Sequence, residues 1–142
     1  MSSYKAIIES VLEQSAAMDV TNIAKLIQDM MYWKVVEEYY DTGHLKSIRC
    51  FTDEEESYYQ AWHENGNRSL RCTSKEHVPY GLYQNWYEDG TCELECTFDN
   101  DNKLHGPYKR WYENGVLAIK AEFFDSAAIS FIEYNQNGDR IN

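Results

Sequence analysis

Four thiols, four imidazoles and a set of evenly spaced carboxylates are the side chains of this 142-residue chain that could do chemistry. Cys50, Cys72, Cys92 and Cys96 match the inventory of a four-thiolate zinc site. Such sites draw on closely spaced cysteine pairs, and only Cys92 and Cys96 approach that spacing. His44, His63, His77 and His105 fall in or beside turn-forming stretches at unrelated positions, so nothing makes them converge as metal ligands or as a general base. Glu64, Glu88 and Glu113 recur at a steady interval, which invites an acid–base reading. Each sits in a turn, however, and a solvated carboxylate lacks the raised pKa that such work needs. No HExxH, P-loop, dinucleotide fingerprint or nucleophile elbow is present. The expectation is therefore no catalytic residue, no metal, no cofactor and no small-molecule substrate.

The interval itself extends well beyond the glutamates. Gly43, Gly66, Gly90, Gly115 and Gly138 are separated by 23, 24, 25 and 23 residues. Four residues before each stands a large aromatic: Tyr39, Trp62, Trp86, Trp111 and Tyr134. Seven before stand Val36, Tyr59, Tyr83, Tyr108 and Phe131, and a polar pair precedes every glycine. Self-similarity at a fixed period marks a repeat architecture. The cysteines fit this frame better than a metal site. Cys72 and Cys96 lie six residues after their glycines, Cys50 lies seven after, and Ala121 fills the place in the fourth repeat. A position that accepts Cys or Ala calls for a small apolar side chain.

Each repeat reads as one β-hairpin. Asn-Gly and Asp-Gly suit a two-residue turn of the primed type, which needs positive φ at both central positions. After Gly90, Cys92, Leu94, Cys96 and Phe98 alternate with polar residues, and Leu117, Ile119, Ala121 and Phe123 do so after Gly115. That is the period-two pattern of a half-buried strand. Thr52 to Ser57, Thr73 to Pro79 and Asp99 to Gly106 read as connections. A lone hairpin is marginal in water, so successive hairpins must pair into a shared sheet. Near the N-terminus the period changes: Tyr4, Ile7, Ile8, Val11 and Leu12 fall at helical spacing, as do Ile23, Leu26, Ile27, Met30 and Met31, with Asp19 or Thr21 as a cap between them. The predicted class is α+β, mostly β, in one compact unit. A helical cap over residues 1–33, or a docking element there, precedes an array of about five hairpins over residues 34–142.

Composition narrows the partners. The net charge is −11 and no basic stripe offsets it, which disfavours nucleic acid and anionic membrane. A basic protein surface, or self-association through free sheet edges, is the better match. The acidic run from Asp53 to Glu56 reads as a solvated loop. No charged start followed by an apolar run marks a signal peptide, and no 18-residue apolar stretch exists, so the expected location is soluble and intracellular. Twelve Tyr and four Trp suit positions packed on one side and wet on the other. Tyr40, Tyr87 and Tyr112 follow the invariant aromatic place and should face away from the Trp side. With Glu64, Glu88 and Glu113 they form the candidate partner-binding surface.

GPYKRWYENG (Gly106 to Gly115) and GLYQNWYEDG (Gly81 to Gly90) resemble the variant MORN repeat. The resemblance is strongest from Tyr80 to Phe123, fair from Tyr58 to Cys72 and degenerate from Val35 to Cys50 and from Ile129 to Asn142. His63 and Asn135 replace the second aromatic, and Arg68 and Arg140 replace a leucine. The resemblance implies a non-enzymatic binding or assembly platform. Antitoxin-like bacterial proteins and tandem-repeat proteins of large DNA viruses share the unit, so it also implies two specific settings. These are a virion or virus-factory component, and an antitoxin-like protein that neutralises one partner.

Overall fold

Every glycine of the repeat frame marks the bend of a hairpin. In the computed structural model, residues 34–51 and 56–142 are described. They form nine strands: β1 (Lys34–Tyr39), β2 (Leu45–Phe51), β3 (Glu56–Trp62), β4 (Arg68–Lys75), β5 (Val78–Trp86), β6 (Cys92–Phe98), β7 (Leu104–Trp111), β8 (Leu117–Phe124) and β9 (Ala127–Glu133). The strands lie in one sheet in chain order, each antiparallel to the next. A fifth hairpin is begun after β9, with a single bridge between Tyr134 and Arg140.

The α+β expectation is thereby corrected. Among the described residues there is no helix, and their class is all-β. The helical reading of residues 1–33 lies outside the described residues, as does most of the acidic run at 53–55.

The glycine turns differ from the expected two-residue form. Tyr87 N–H donates to the Thr91 carbonyl at 2.9 Å and Gly90 N–H to the Tyr87 carbonyl at 3.0 Å, and the same pair of bonds closes the other four turns. Only the glycine takes positive φ, +92° at Gly90 and +84° at Gly115, while the Asp or Asn before it does not. This is the three-residue loop, a type I turn closed by one left-handed residue. Space does not demand glycine here, since a Cβ at Gly115 would meet nothing within 4 Å; the dihedral does. The register then slips by one residue beside Tyr39, Trp62, Trp86 and Trp111.

Two-residue turns with both φ positive do occur, at the opposite edge and without glycine: Glu76-His77 between Lys75 and Val78, and Asp125-Ser126 between Phe124 and Ala127. The expected connection Thr73 to Pro79 is accordingly mostly strand, whereas the one from Asp99 to Gly106 is a loop as far as Lys103, where β7 takes over. At this edge Ser126 N–H donates to the Leu104 carbonyl at 2.9 Å, and Leu104 N–H donates to Ser126 Oγ at 3.2 Å.

The registers line up one row across the sheet. Tyr59 faces Cys72, Cys72 faces Tyr83, Tyr83 faces Cys96, Cys96 faces Tyr108, Tyr108 faces Ala121 and Ala121 faces Phe131. Directly opposed residues share a face, so large rings alternate with small side chains along it. The small residues are buried: Cys72 at 8%, Cys96 at 2% and Ala121 at 4% exposure. Edge-on ring pairs extend the row along the strands, Tyr83 with Phe98 at 5.9 Å and Tyr108 with Phe123 at 5.5 Å. Such a pair contributes about 0.5–1.5 kcal/mol beyond its area. Cys50 departs from this scheme. Arg49 takes the row position in the first repeat, its guanidinium 4.4 Å from the Tyr59 ring centroid. Cys50, one residue on, faces the other side, where Ile48 and Tyr58 are buried with it.

Candidate interaction surface

The five glycine turns fall along one edge of the sheet, and side chains join each turn to the next. Tyr40 Oη donates to the Trp62 carbonyl, Tyr87 Oη to the Trp111 carbonyl and Tyr112 Oη to the Tyr134 carbonyl, all at 2.9 Å. The fourth junction has no tyrosine. There His63 Nε2 donates to the Trp86 carbonyl at 2.7 Å. Each of the first four repeats thus reaches one repeat ahead, to the backbone of the same aromatic position. Asn135 holds the fifth place and turns inward, its Oδ1 accepting from the N–H groups of Asn137 and Asp139.

A second ladder runs through the loop tips. Asn65 Nδ2 and Asn67 Nδ2 donate to the Glu88 carbonyl at 2.6 and 2.7 Å, Asn114 Nδ2 to the Gln136 carbonyl at 3.0 Å, and His44 Nδ1 to the Glu64 carbonyl at 3.1 Å. Asn65 and Asn114 also close their own loops, Oδ1 accepting from the N–H two residues on. Asp89 can do only the latter, accepting from Thr91 N–H at 2.7 Å. That bond holds its carboxyl below the ordinary aspartate value.

The sequence-derived site residues all lie on this edge. Tyr40, Tyr87 and Tyr112 are half-buried, with hydroxyls committed to the junctions, so the ring flanks are what they offer to a partner. The Tyr87 hydroxyl is held above its ordinary pKa, first by desolvation and then by Glu93. Tyr87 and Tyr112 border a shallow depression of about 150 Å³, completed by Arg110, Ala118, Ile119 and Glu133. Glu64, Glu88 and Glu113 are exposed at the loop tips. Asp41, Asp89 and Asp139 are exposed beside them, and none of the five turns contains Lys or Arg. The junction role of His63 and of the turn asparagines escaped the sequence reading. The signal was their placement one position after the aromatic, or one before or after the glycine, in repeat after repeat.

Among the described residues no three His, Cys, Asp or Glu side chains are grouped to hold a metal. Burial pushes the Cys50 thiol up to about 12 and the Cys96 thiol up to about 11. A thiol so raised is a poor nucleophile and a poor ligand at neutral pH. A larger hollow of about 370 Å³ at the opposite edge is bordered by Lys75, Glu76, Tyr80 and Asp101, with the Tyr80 hydroxyl donating to Glu56 Oε1 at 2.7 Å.

The family profile described as MORN repeat variant matches residues 34–53 and 104–125. Two stretches of the chain match the variant MORN repeat. The first match covers β1 and β2, where the motif is degenerate by residue type, and the second covers β7 and β8, where it is clearest. MORN repeats serve in general as interaction modules, and antiparallel hairpins form the whole described sheet. No curated protein matches the chain in sequence. Among solved structures, a point mutant of S. aureus TarM in complex with Fondaparinux, alpha-GlcNAc-glycerol and UDP aligns at 8% identity and a TM-score of 0.41, over 88% of this chain and 27% of that one. A structure of TarM aligns at 10% identity and a TM-score of 0.40, over 89% and 27%. At these scores the likeness carries no argument. No helix among the described residues is long and apolar enough to cross a membrane.

Proposed function

We propose that the chain is a non-catalytic protein-interaction module whose MORN-type turn edge binds a basic surface of another protein. The carrying observation is the composition of that edge: Asp41, Glu64, Glu88, Asp89, Glu113 and Asp139 stand exposed along it without one Lys or Arg among the turns. Strand spacing of roughly 4.8 Å puts equivalent residues of successive hairpins about 10 Å apart. A partner presenting Lys or Arg at that interval meets a carboxylate at each step. The half-buried flanks of Tyr87 and Tyr112, beside their shared depression, supply the aromatic contact that interface centres favour. No residue favours the antitoxin-like or the viral setting over this general reading.

The test is affinity purification from the native source, followed by binding of the recovered partner to wild type and to a Glu64→Gln, Glu88→Gln, Glu113→Gln variant at low and high salt. The variant should associate more slowly and lose much of the salt dependence. Equal binding at both salt concentrations would reject the turn edge as the contact.

A further inference from the structure

The edge opposite the glycine turns is built differently from one repeat to the next. β4 and β5 are joined there by the tight Glu76-His77 turn, whereas β6 and β7 are joined by the longer stretch from Asp99 to Lys103. The repeat that holds this stretch has the widest glycine spacing, 25 residues against 23 and 24 elsewhere. In repeat arrays such extra residues fall in loops on one face, often the binding face. Between the long loop and the tight turn lies the hollow of about 370 Å³. Ligand pockets run from roughly 300 to 1,000 Å³, so this one suits a molecule of one or two rings.

The loop is fastened without using the side chains that border the hollow. Asp99 holds its shape: Oδ1 accepts from the N–H groups of Asp101 and Lys103 at 2.9 and 3.0 Å, and the Asp99 N–H donates to the Lys103 carbonyl at 2.9 Å. On the side of β8 and β9, Lys103 Nζ pairs with Asp125 Oδ1 at 2.6 Å, and Leu104 exchanges two bonds with Ser126. Asn100, Asp101 and Asn102 face the hollow instead, and none of these bonds uses their side chains.

Two kinds of lining meet there. Val78, 40% exposed, and Pro79 lie with the ring of Tyr80, whose hydroxyl is tied to Glu56. Around them Asn100, Asn102 and Lys75 offer donors, while Asp101, Glu76 and the amide oxygens offer acceptors. The carboxylates, on a chain of net charge −11, oppose a phosphate or carboxylate ligand. An apolar ligand would dehydrate the rim without replacing its hydrogen bonds. Lys75 opposes a cation. Hydroxyl groups, each both donor and acceptor, match a rim of mixed sign. The C–H groups of a pyranose ring match the apolar part.

We propose that this hollow binds a neutral saccharide, with one ring on Val78, Pro79 and Tyr80 and its hydroxyls shared between the β6–β7 loop and Lys75-Glu76. The site is separate from the turn edge and does not depend on a partner there.

The probes are the methyl glycosides of glucose, galactose, mannose and N-acetylglucosamine, together with maltose, cellobiose and lactose. Each is titrated into the full isotope-labelled chain and followed by amide NMR, in the millimolar range that an open site implies. At least one should give saturable shifts confined to residues 75–80 and 99–103. An Asn100→Ala, Asp101→Ala double variant should weaken that binding about tenfold or more and leave the melting transition unchanged, since neither side chain holds the loop. Glu113→Gln, at the turn edge, should leave it as in wild type. No saturable shift from any of the sugars, shifts that map elsewhere, or equal affinity in the double variant would overturn the proposal. Saturable shifts at the hollow with N-acetyl-lysine methylamide and with none of the sugars would assign it to a lysine side chain and overturn the choice of ligand.

Discussion

His63 stands to Trp86 as Tyr87 stands to Trp111: one side chain, one repeat ahead, one backbone carbonyl, at 2.7 and 2.9 Å. The imidazole thus performs the same joining task as the phenol. The pair gives a direct test. His63→Tyr should leave the urea midpoint near wild type. His63→Phe should lower stability by about 0.5–1.5 kcal/mol, since it leaves a part-buried carbonyl without its donor. Equal stability of the two variants would mean the bond contributes nothing.

Tyr87→Phe and Tyr112→Phe keep the ring and remove only the hydroxyl. Each should cost about 1 kcal/mol in denaturant unfolding. Stability in such arrays is a sum of units and nearest-neighbour interfaces, so the double variant probes two adjacent interfaces. A loss of unfolding cooperativity in the double variant would show that the junctions couple the repeats as well as stabilise them.

The thiols should divide by environment. Cys50 and Cys96 are buried, with pKa values pushed up to about 12 and about 11, and Cys72 is buried and raised as well. Cys92 is only half-buried, although its pKa too is raised by desolvation. At neutral pH a disulfide reagent should therefore modify Cys92 first and slowly, and the other three only on unfolding. Cys96→Ala should cost little, since Ala121 already serves in that row. Cys96→Phe should destabilise by about 1–3 kcal/mol through overpacking between Tyr83 and Tyr108.

Asp89 lacks the amide that Asn65 and Asn114 extend to the next turn. Asp89→Asn should add that bond, toward the Glu113 carbonyl, and raise the melting temperature. The pH dependence has a definite sign. Backbone N–H groups of Thr91 and Lys103 hold Asp89 and Asp99 respectively below the ordinary value of 3.8. A carboxyl depressed in the folded state contributes stability in full above its unfolded pKa and loses it as pH falls through the folded one. Wild type should thus weaken below about pH 4, and the advantage of Asp89→Asn should widen there. A constant difference across that range would reject the assignment.

The frame of the fold was legible because a hairpin repeat writes itself as a period. The five glycines from Gly43 to Gly138 located the bends, and the alternation after Gly90 and Gly115 located β6 and β8. What failed was local. Asn-Gly and Asp-Gly suggested a two-residue turn, yet only the glycine is left-handed, because a third loop residue lets the Asn or Asp keep negative φ and cap the loop. Glu76-His77 and Asp125-Ser126 take the primed turn without a glycine, where strand pairing on both sides overrides their intrinsic preference. Cys50 was grouped with Cys72 and Cys96, but a one-residue offset in a strand changes the face. The acidic rim at Glu64, Glu88 and Glu113 was readable from their place in the turns. The reach of Tyr40, Tyr87 and Tyr112 to a carbonyl was not, because only the stacked registers bring residues 22 to 24 apart within hydrogen-bonding distance.

The junction from Tyr87 to Trp111 uses a backbone acceptor, and every repeat exposes the same acceptor whatever its side chain. A unit can therefore be joined to any neighbour cut to the same length. The array behaves as a ruler whose graduations are the turns: deleting or inserting one whole period should shorten or lengthen the line of contact while leaving each remaining mark, and the spacing between marks, unchanged.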